Sequence, residues 1–137
     1  MLFRSVAEDA QAYAAVSSAY KLPSDSPDAA ARRGEAIATA LLGAAQTPLE
    51  TARACADVAE LARTVAMHGN TNAISDAGVA ALLAEAACRG AAYNVRINVA
   101  SLEDKSRGAN LVEEVKALVS RTASLAKDVA TRVEASF

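Results

Sequence analysis

The residues of this chain that could carry chemistry form three short groups of polar side chains. In chain order the groups are Asp9, Tyr13 and Lys21; Asn72, Ser75 and Asp76; and Asn94 and Asn98. Carboxylates and ammonium groups can exchange protons with a substrate, and amides can hydrogen-bond a polar ligand on both its donor and acceptor edges. The spacing alone therefore indicates a polar pocket and leaves its ligand open.

Two of the three groups also have a purely structural explanation. Asn72 and Ser75 stand where a helix is expected to begin, so both could cap it, and Asp76 in the first turn would face the positive end of the helix dipole. Asn94 and Asn98 could hydrogen-bond a neighbouring helix instead of a ligand. These alternatives stay open on the residue types and spacing.

Other kinds of site lack their usual signals. The chain has no Walker loop, no dinucleotide fingerprint, no metal-ligand spacing and no Ser-His-Asp set. The only histidine, His68, precedes Gly69 and is expected to face a helix C-terminus, where the dipole favours a cation. Cys55 and Cys88 lie in alanine-rich stretches and are predicted to be small buried residues of a reducing compartment rather than a disulfide.

The elements that must position the polar groups are predicted to be helices. Hydrophobic residues make up 53% of the 137 residues and aromatic residues only 4%, so alanine, the best helix former, dominates. A stripe with helical spacing runs through a central helix expected over 72–99 and becomes polar at its end. It consists of Ala73, Ala77, Ala80, Ala84, Ala87, Ala91, Asn94 and Asn98.

Four further helices are expected around the central one. They cover residues 1–20, 27–45, 48–68 and about 101–135, and the third begins at a capping box over 47–50. Glycines inside several of these segments favour close helix packing. The fold class is therefore all-α, an antiparallel bundle of about five helices in one domain, 1–137, with a long Ala-rich central helix.

Charge and hydropathy exclude several partners. The 14 basic and 16 acidic residues give a net charge of −2 without any basic run, so nucleic acid is not expected. No apolar run approaches the roughly 20 residues that span a bilayer, and no signal peptide precedes the first helix. We expect a cytoplasmic protein without a membrane partner.

Four segments resemble the cyclodeaminase/cyclohydrolase family in order and spacing. They are Asp9–Tyr13, Ala19–Pro23, Gly69–Gly78 and Asn94–Asn98. The family includes the cyclodeaminase domain of formimidoyltransferase-cyclodeaminase and stand-alone methenyltetrahydrofolate cyclohydrolases. The resemblance implies an all-helical homodimer that acts on 5-formimino- or 5,10-methenyltetrahydrofolate, needs no metal and no cofactor besides this substrate, and could work beside a formimidoyltransferase.

The resemblance also implies roles for the polar groups. Asp9, Asp76 and Lys21 become candidate catalytic residues, while Tyr13, Asn72, Ser75, Asn94 and Asn98 become candidate substrate-binding residues. One division has Asp9 near the reacting carbon and Asp76 on the amino-pyrimidinone edge of the pterin. The sequence leaves these individual roles, and the choice between the two substrates, open.

One departure from the family pattern favours a rival interpretation. Family members begin with a further helical region that carries a glycine-rich segment, and nothing in this chain matches it. The chain is therefore expected to lack the N-terminal portion of the domain. It could then be a non-catalytic dimerisation or scaffold module, or an inactive fragment of the enzyme. A four-helix metal carrier is excluded because the Glu-x-x-His pairs of such sites are absent.

Overall fold

The computed structural model describes residues 2–137, with side chains from Val6 onward, and the chain is a bundle of four α-helices. They are α1 (Leu2–Tyr20), α2 (Pro27–His68), α3 (Ile74–Ala100) and α4 (Ala109–Glu134). Short 3₁₀ turns, Thr71–Ala73 and Lys105–Gly108, precede α3 and α4. The all-α fold is confirmed, with four long helices rather than about five; Met1 of the predicted first helix lies outside the described residues.

The helix count differs because the predicted second and third helices are one. Pro48 lies inside α2, so the start predicted at Thr47 is wrong. Proline in a helix interior costs roughly 3 kcal/mol because it removes a backbone hydrogen bond and crowds the preceding turn. Leu41 and Ala45 before Pro48, and Leu49 and Ala52 after it, are buried on one face. Continuous burial of that face outweighs the local break.

Two other helix starts also fall later than the sequence predicts. The side chain of Asn70 accepts the backbone N–H of Asn72, and the 3₁₀ turn that follows moves the start of α3 to Ile74. Asp104 likewise accepts the N–H of Ser106 before α4 begins. Neither Asn72 nor Ser75 therefore caps α3, and the last helix begins at Ala109 rather than near 101. Ser26 caps α2, since its hydroxyl accepts the backbone N–H of Ala29 at 3.2 Å.

The core lies where α2, α3 and α4 pack together, and α1 covers the N-terminal half of α2. Small side chains dominate, which lets the helix backbones approach closely. The one buried polar side chain among the described residues is Thr122, whose hydroxyl donates to the carbonyl of Leu118 at 2.7 Å. Cys55 and Cys88 are free thiols, as predicted, and burial raises the pKa of the Cys55 thiol.

The buried face of α3 is rotated from the predicted alanine stripe. Ala77, Ala84 and Ala91 are buried, but Ala87 and Asn94 are exposed. Cys88, Val95 and Val99 are buried instead, because their larger side chains fill the space between α2 and α4. The predicted stripe therefore lies at the edge of the packed face rather than at its centre.

Ion pairs on the surface join α2 to α4. Three arginine–carboxylate contacts of 2.7 to 3.2 Å do so: Arg53–Glu114, Arg63–Asp128 and Arg121–Glu60. Within α4, Glu113 and Lys116 are three residues apart and form a further ion pair.

Gly108, at the end of the 3₁₀ turn before α4, is buried against Val99 of α3. A β-carbon there would lie 2.6 and 2.7 Å from the two γ-methyl groups of Val99, so rotation of the valine would not make room. We expect Gly108→Ala to lower the free energy of unfolding by about 2 kcal/mol, the scale of overpacking. Chemical denaturation measures this.

The control is Gly43→Ala, because a β-carbon on Gly43 would meet nothing within 4 Å. This substitution is expected to raise stability by about 0.5–1 kcal/mol through helix propensity. If Gly108→Ala and Gly43→Ala changed the free energy of unfolding by the same amount, the close contact between Gly108 and Val99 would be contradicted.

Candidate functional site

A cavity of about 370 Å³ lies between α1, the middle of α2 and the C-terminal end of α3. Four of the eight predicted site residues line it: Asp9 and Tyr13 from α1, and Asn94 and Asn98 from α3. The remaining wall is largely apolar, with Val16, Leu41, Pro48 and Ile97. Its size falls in the range of small-molecule sites, which bury a ligand against apolar walls and orient it with a few polar groups.

Helical spacing explains why these four side chains line the cavity as two pairs. Asp9 and Tyr13 are one turn apart on α1, and Asn94 and Asn98 are one turn apart on α3, so each pair shares one helix face. Among the described residues, the side chains of Asp9, Tyr13 and Asn94 make no hydrogen bond or ion pair. Their polar atoms are therefore available to a ligand.

Asn98 is held by a backbone carbonyl that Pro48 leaves without its helical hydrogen bond in α2. Because Pro48 has no N–H, the carbonyl of Ala44 loses its helical partner. The side-chain amide of Asn98 donates to that carbonyl at 3.4 Å and to the carbonyl of Asn94 at 3.0 Å. Asn98 therefore makes the hydrogen bond between helices that was the alternative to ligand binding. This bond holds the Asn98 side chain at the cavity wall.

We expect Asn98→Ala to lower the free energy of unfolding by about 1 kcal/mol, because the Ala44 carbonyl then has no donor. In a Pro48→Ala background the helix supplies that donor itself, so the same change should cost clearly less. Denaturation of the four proteins in this double-mutant cycle gives the coupling energy. Strict additivity would contradict the link between Pro48 and Asn98.

The second predicted group lies at the opposite end of α3. Asn72 is in the 3₁₀ turn, while Ser75 and Asp76 are in the first turn of α3, and all three are exposed. Asp76 and Asn94 are 18 residues apart on one helix, which corresponds to about 27 Å. Within one chain the structure does not bring Asp76, Asn72 or Ser75 to the cavity.

Lys21 lies just beyond α1 and is exposed. Its neighbour Tyr20 lines the cavity, but Lys21 does not. The structure therefore separates the predicted site into one assembled group, one distant group and a lysine beside the cavity.

A second cavity, of about 580 Å³, adjoins the first and shares Tyr20, Leu41 and Ser101 with it. At its edge the guanidinium of Arg107 donates twice to the carboxylate of Glu35, each at 2.8 Å. This hydrogen-bonded pair holds the pKa of Glu35 below its ordinary value. Sequence reasoning missed the pair, because 72 residues separate its members and no local pattern marks either one.

The described residues hold no group of three histidine, cysteine, aspartate or glutamate side chains that could bind a metal ion. In the part of the chain that the structure describes, every helix is too short or too polar to cross a membrane. What the first cavity does offer is one carboxylate, two tyrosines, two amides and one serine beside an apolar wall.

The fold and the cavity define an all-helical protein with an open cavity between packed helices. The sequence model of the formiminotransferase-cyclodeaminase family matches residues 1–117. The chain is 40% identical over 120 residues to methenyltetrahydrofolate cyclohydrolase of Methylorubrum extorquens, covering 88% of this chain. It is 33% identical over 127 residues to formimidoyltransferase-cyclodeaminase of Sus scrofa, covering 93% of this chain.

A solved structure agrees with these relatives. The crystal structure of formiminotetrahydrofolate cyclodeaminase from Thermotoga maritima superposes with a TM-score of 0.83 at 28% identity and covers 98% of this chain. The chain belongs to the formiminotransferase-cyclodeaminase family, which confirms the resemblance found in the four segments. It spans 58% of the length of the Methylorubrum cyclohydrolase, 24% of the porcine protein and 63% of the Thermotoga chain.

Proposed function

We propose that this chain is the folate-binding helical part of a one-carbon enzyme, a cyclodeaminase or cyclohydrolase acting on 5-formimino- or 5,10-methenyltetrahydrofolate. The observation that carries the proposal is the cavity: Asp9, Tyr13, Asn94 and Asn98, taken from two family-like segments, line one space. The relatives named for cyclohydrolase and cyclodeaminase activity support the same substrate class.

In the proposed chemistry a carboxylate faces a carbon held between N5 and N10 of the folate. The methenyl bridge is an amidinium-like cation, so the Asp9 carboxylate stabilises it and accepts a proton from the attacking water. The C–O bond forms as the C=N double bond of the bridge opens. A proton then passes to the leaving nitrogen, the C–N bond to that nitrogen breaks, and the product is a formyl folate. In the cyclodeaminase reaction N10 attacks the formimino carbon and ammonia leaves.

The amides and the phenol orient the substrate in this proposal. Asn94 and Asn98 hydrogen-bond the pterin, and Tyr13 contacts it beside Asp9. Lys21 donates a proton to the leaving nitrogen or holds a folate carboxylate at the end of the cavity. Asp76, Asn72 and Ser75 bind the amino-pyrimidinone edge, which requires a second subunit. We accordingly propose a cytoplasmic homodimer, served by a formimidoyltransferase when the substrate is formimino-folate.

The test is turnover by the purified chain on each substrate. The loss of the methenyl chromophore reports cyclohydrolase activity, and ammonia release from 5-formiminotetrahydrofolate reports cyclodeaminase activity. The proposal expects one of them above the uncatalysed rate. Failure of both, together with no binding of a tetrahydrofolate analogue, would favour the scaffold module instead.

A further inference from the structure

The two cysteines of the chain lie on neighbouring helices of the core, Cys55 on α2 and Cys88 on α3. Cys88 is fully buried in the largest core cluster, and Cys55 is partly buried and packs against the same cluster. Neither thiol lines either of the two cavities described above. The pair is therefore a set of nucleophilic groups that the proposed function does not use.

Contacts between α2 and α3 show how the two helices are aligned. The amide of Asn98 donates to the carbonyl of Ala44, and the thiol of Cys88 donates to the carbonyl of Ala52 at 3.9 Å. Residue numbers fall along α3 as they rise along α2, so the helices run antiparallel. Cys55 follows Ala52 by three residues, which is less than one turn and about 4.5 Å along the helix axis. The two cysteines thus lie at nearly the same level of the helix pair.

Cys55 also lies on the buried side of α2. Ala52, Ala56 and Ala59 are buried on that side, and Cys55 is three residues from Ala52 and four from Ala59. These neighbours carry only methyl groups, so the backbones of α2 and α3 can approach closely here. A disulfide needs Cα atoms roughly 4.4–6.8 Å apart, a separation that two helices reach only where small residues pack between them.

The electrostatics of the two thiols agree with this proximity. Burial raises the pKa of the Cys55 thiol, and charge repulsion from the Cys88 thiolate raises it further. Such repulsion weakens with distance, so it is consistent with two sulfur atoms that lie near each other. A raised pKa leaves little thiolate at neutral pH, and the thiolate is the reactive form. The pair should therefore react slowly and need sustained exposure to an oxidant.

We propose that Cys55 and Cys88 form a reversible disulfide that joins α2 to α3 when hydrogen peroxide is present. The partly exposed Cys55 reacts first: its sulfur attacks a peroxide oxygen, the O–O bond breaks, hydroxide leaves, and a sulfenic acid forms. The sulfur of Cys88 then attacks that of Cys55, the S–O bond breaks, and a second hydroxide leaves. The two thiol protons convert the hydroxides to water, so the thiols lose the two electrons that the peroxide gains.

Mass spectrometry of the purified chain after treatment with hydrogen peroxide tests the proposal directly. The expected product is a single chain about 2 Da lighter, with no thiol left for an alkylating reagent after denaturation and both thiols restored by dithiothreitol. The tryptic peptides that contain Cys55 and Cys88 should be joined. A sulfinic acid at Cys55 beside a free Cys88 thiol would overturn the proposal, and so would a disulfide between two chains or two thiols that stay reduced.

A displaced cysteine is the matched control. The double variant Cys55→Ala with Val58→Cys keeps the number of thiols but moves one of them three residues along α2, to a position that is 45% exposed. Its two thiols should not form an intrachain disulfide, and formation as efficient as in the wild type would refute the inferred proximity. The variant Cys88→Ala should instead accumulate the Cys55 sulfenic acid, which dimedone labels. No label there would contradict Cys55 as the first sulfur to react.

Thermal unfolding of the oxidised protein gives a second test. The disulfide closes a loop of about 34 residues, from Cys55 to Cys88, which restricts the unfolded chain. We expect the oxidised wild type to melt about 5 °C or more above the reduced protein, and dithiothreitol to reverse the rise. A lower Tm after oxidation would mean that the bond distorts the native packing, against the proposal. These tests require no folate turnover, so they decide the disulfide independently of the proposed function.

Discussion

Asp9→Asn is expected to lower turnover of the proposed folate substrate about 100-fold, the usual scale for a general acid–base group. The amide keeps the size of the side chain but can neither accept a proton from water nor balance the positive bridge. Asp9 is exposed at the cavity and has no partner among the described residues, so stability should change by less than about 0.5 kcal/mol. Steady-state kinetics and thermal unfolding of the same protein separate the two effects.

Asp76→Asn is expected to cause a loss of similar size if Asp76 completes the site from a second subunit. The matched control is Asp57→Asn, an exposed carboxylate of α2 that lines neither cavity, and its turnover should equal that of the wild type. Full activity in both the Asp9 and Asp76 variants would remove these carboxylates from the mechanism.

Leu49→Ala is expected to lower the free energy of unfolding by about 3 kcal/mol. Leu49 is 0% exposed and packs in the core cluster with Leu41, Val95 and Val115. Removing a buried leucine costs the transfer free energy of its side chain and leaves a cavity in the core. Leu49 directly follows Pro48, so its burial helps to keep α2 one continuous helix across the proline. Urea denaturation followed by circular dichroism measures the loss.

Leu61→Ala is the control on the same helix, because Leu61 is 66% exposed. Its effect should stay within about 0.5 kcal/mol. A loss below about 1 kcal/mol for Leu49→Ala would mean that α2 does not pack through Pro48 as one helix.

The all-α fold class could be predicted from the alanine-rich composition and the 3.6-residue hydrophobic spacing, because both determine local backbone structure. Alanine-rich stretches with 3.6-residue spacing have few alternatives to helix, and Ser26 before Pro27 is a cap that the structure retains. The predicted start at Thr47 failed for a tertiary reason: the apolar face on both sides of Pro48 is buried as one surface. A capping pattern reports local preference only, so it could not show that packing outweighs the break.

Part of the candidate site could be predicted from the sequence for the same local reason. Asp9 with Tyr13, and Asn94 with Asn98, were predicted from one-turn spacing, and the cavity contains both pairs. The contact of Asn98 with Ala44 depends on a proline 50 residues away, and Glu35 with Arg107 spans 72 residues. No pattern along the chain marks such pairs. The position of Asp76 five turns from Asn94 follows from a single unbroken α3, which the spacing did predict.

The most direct test of a folate site between α1, α2 and α3 is thermal unfolding with and without 5-formyltetrahydrofolate. A ligand at 100 times its dissociation constant adds about 2.7 kcal/mol to the native state, which for a chain of this size raises Tm by roughly 10 °C. We expect that rise for the wild type and a smaller one for Asn94→Ala, which removes an exposed amide from the cavity wall. An unchanged Tm at saturating folate would contradict the account.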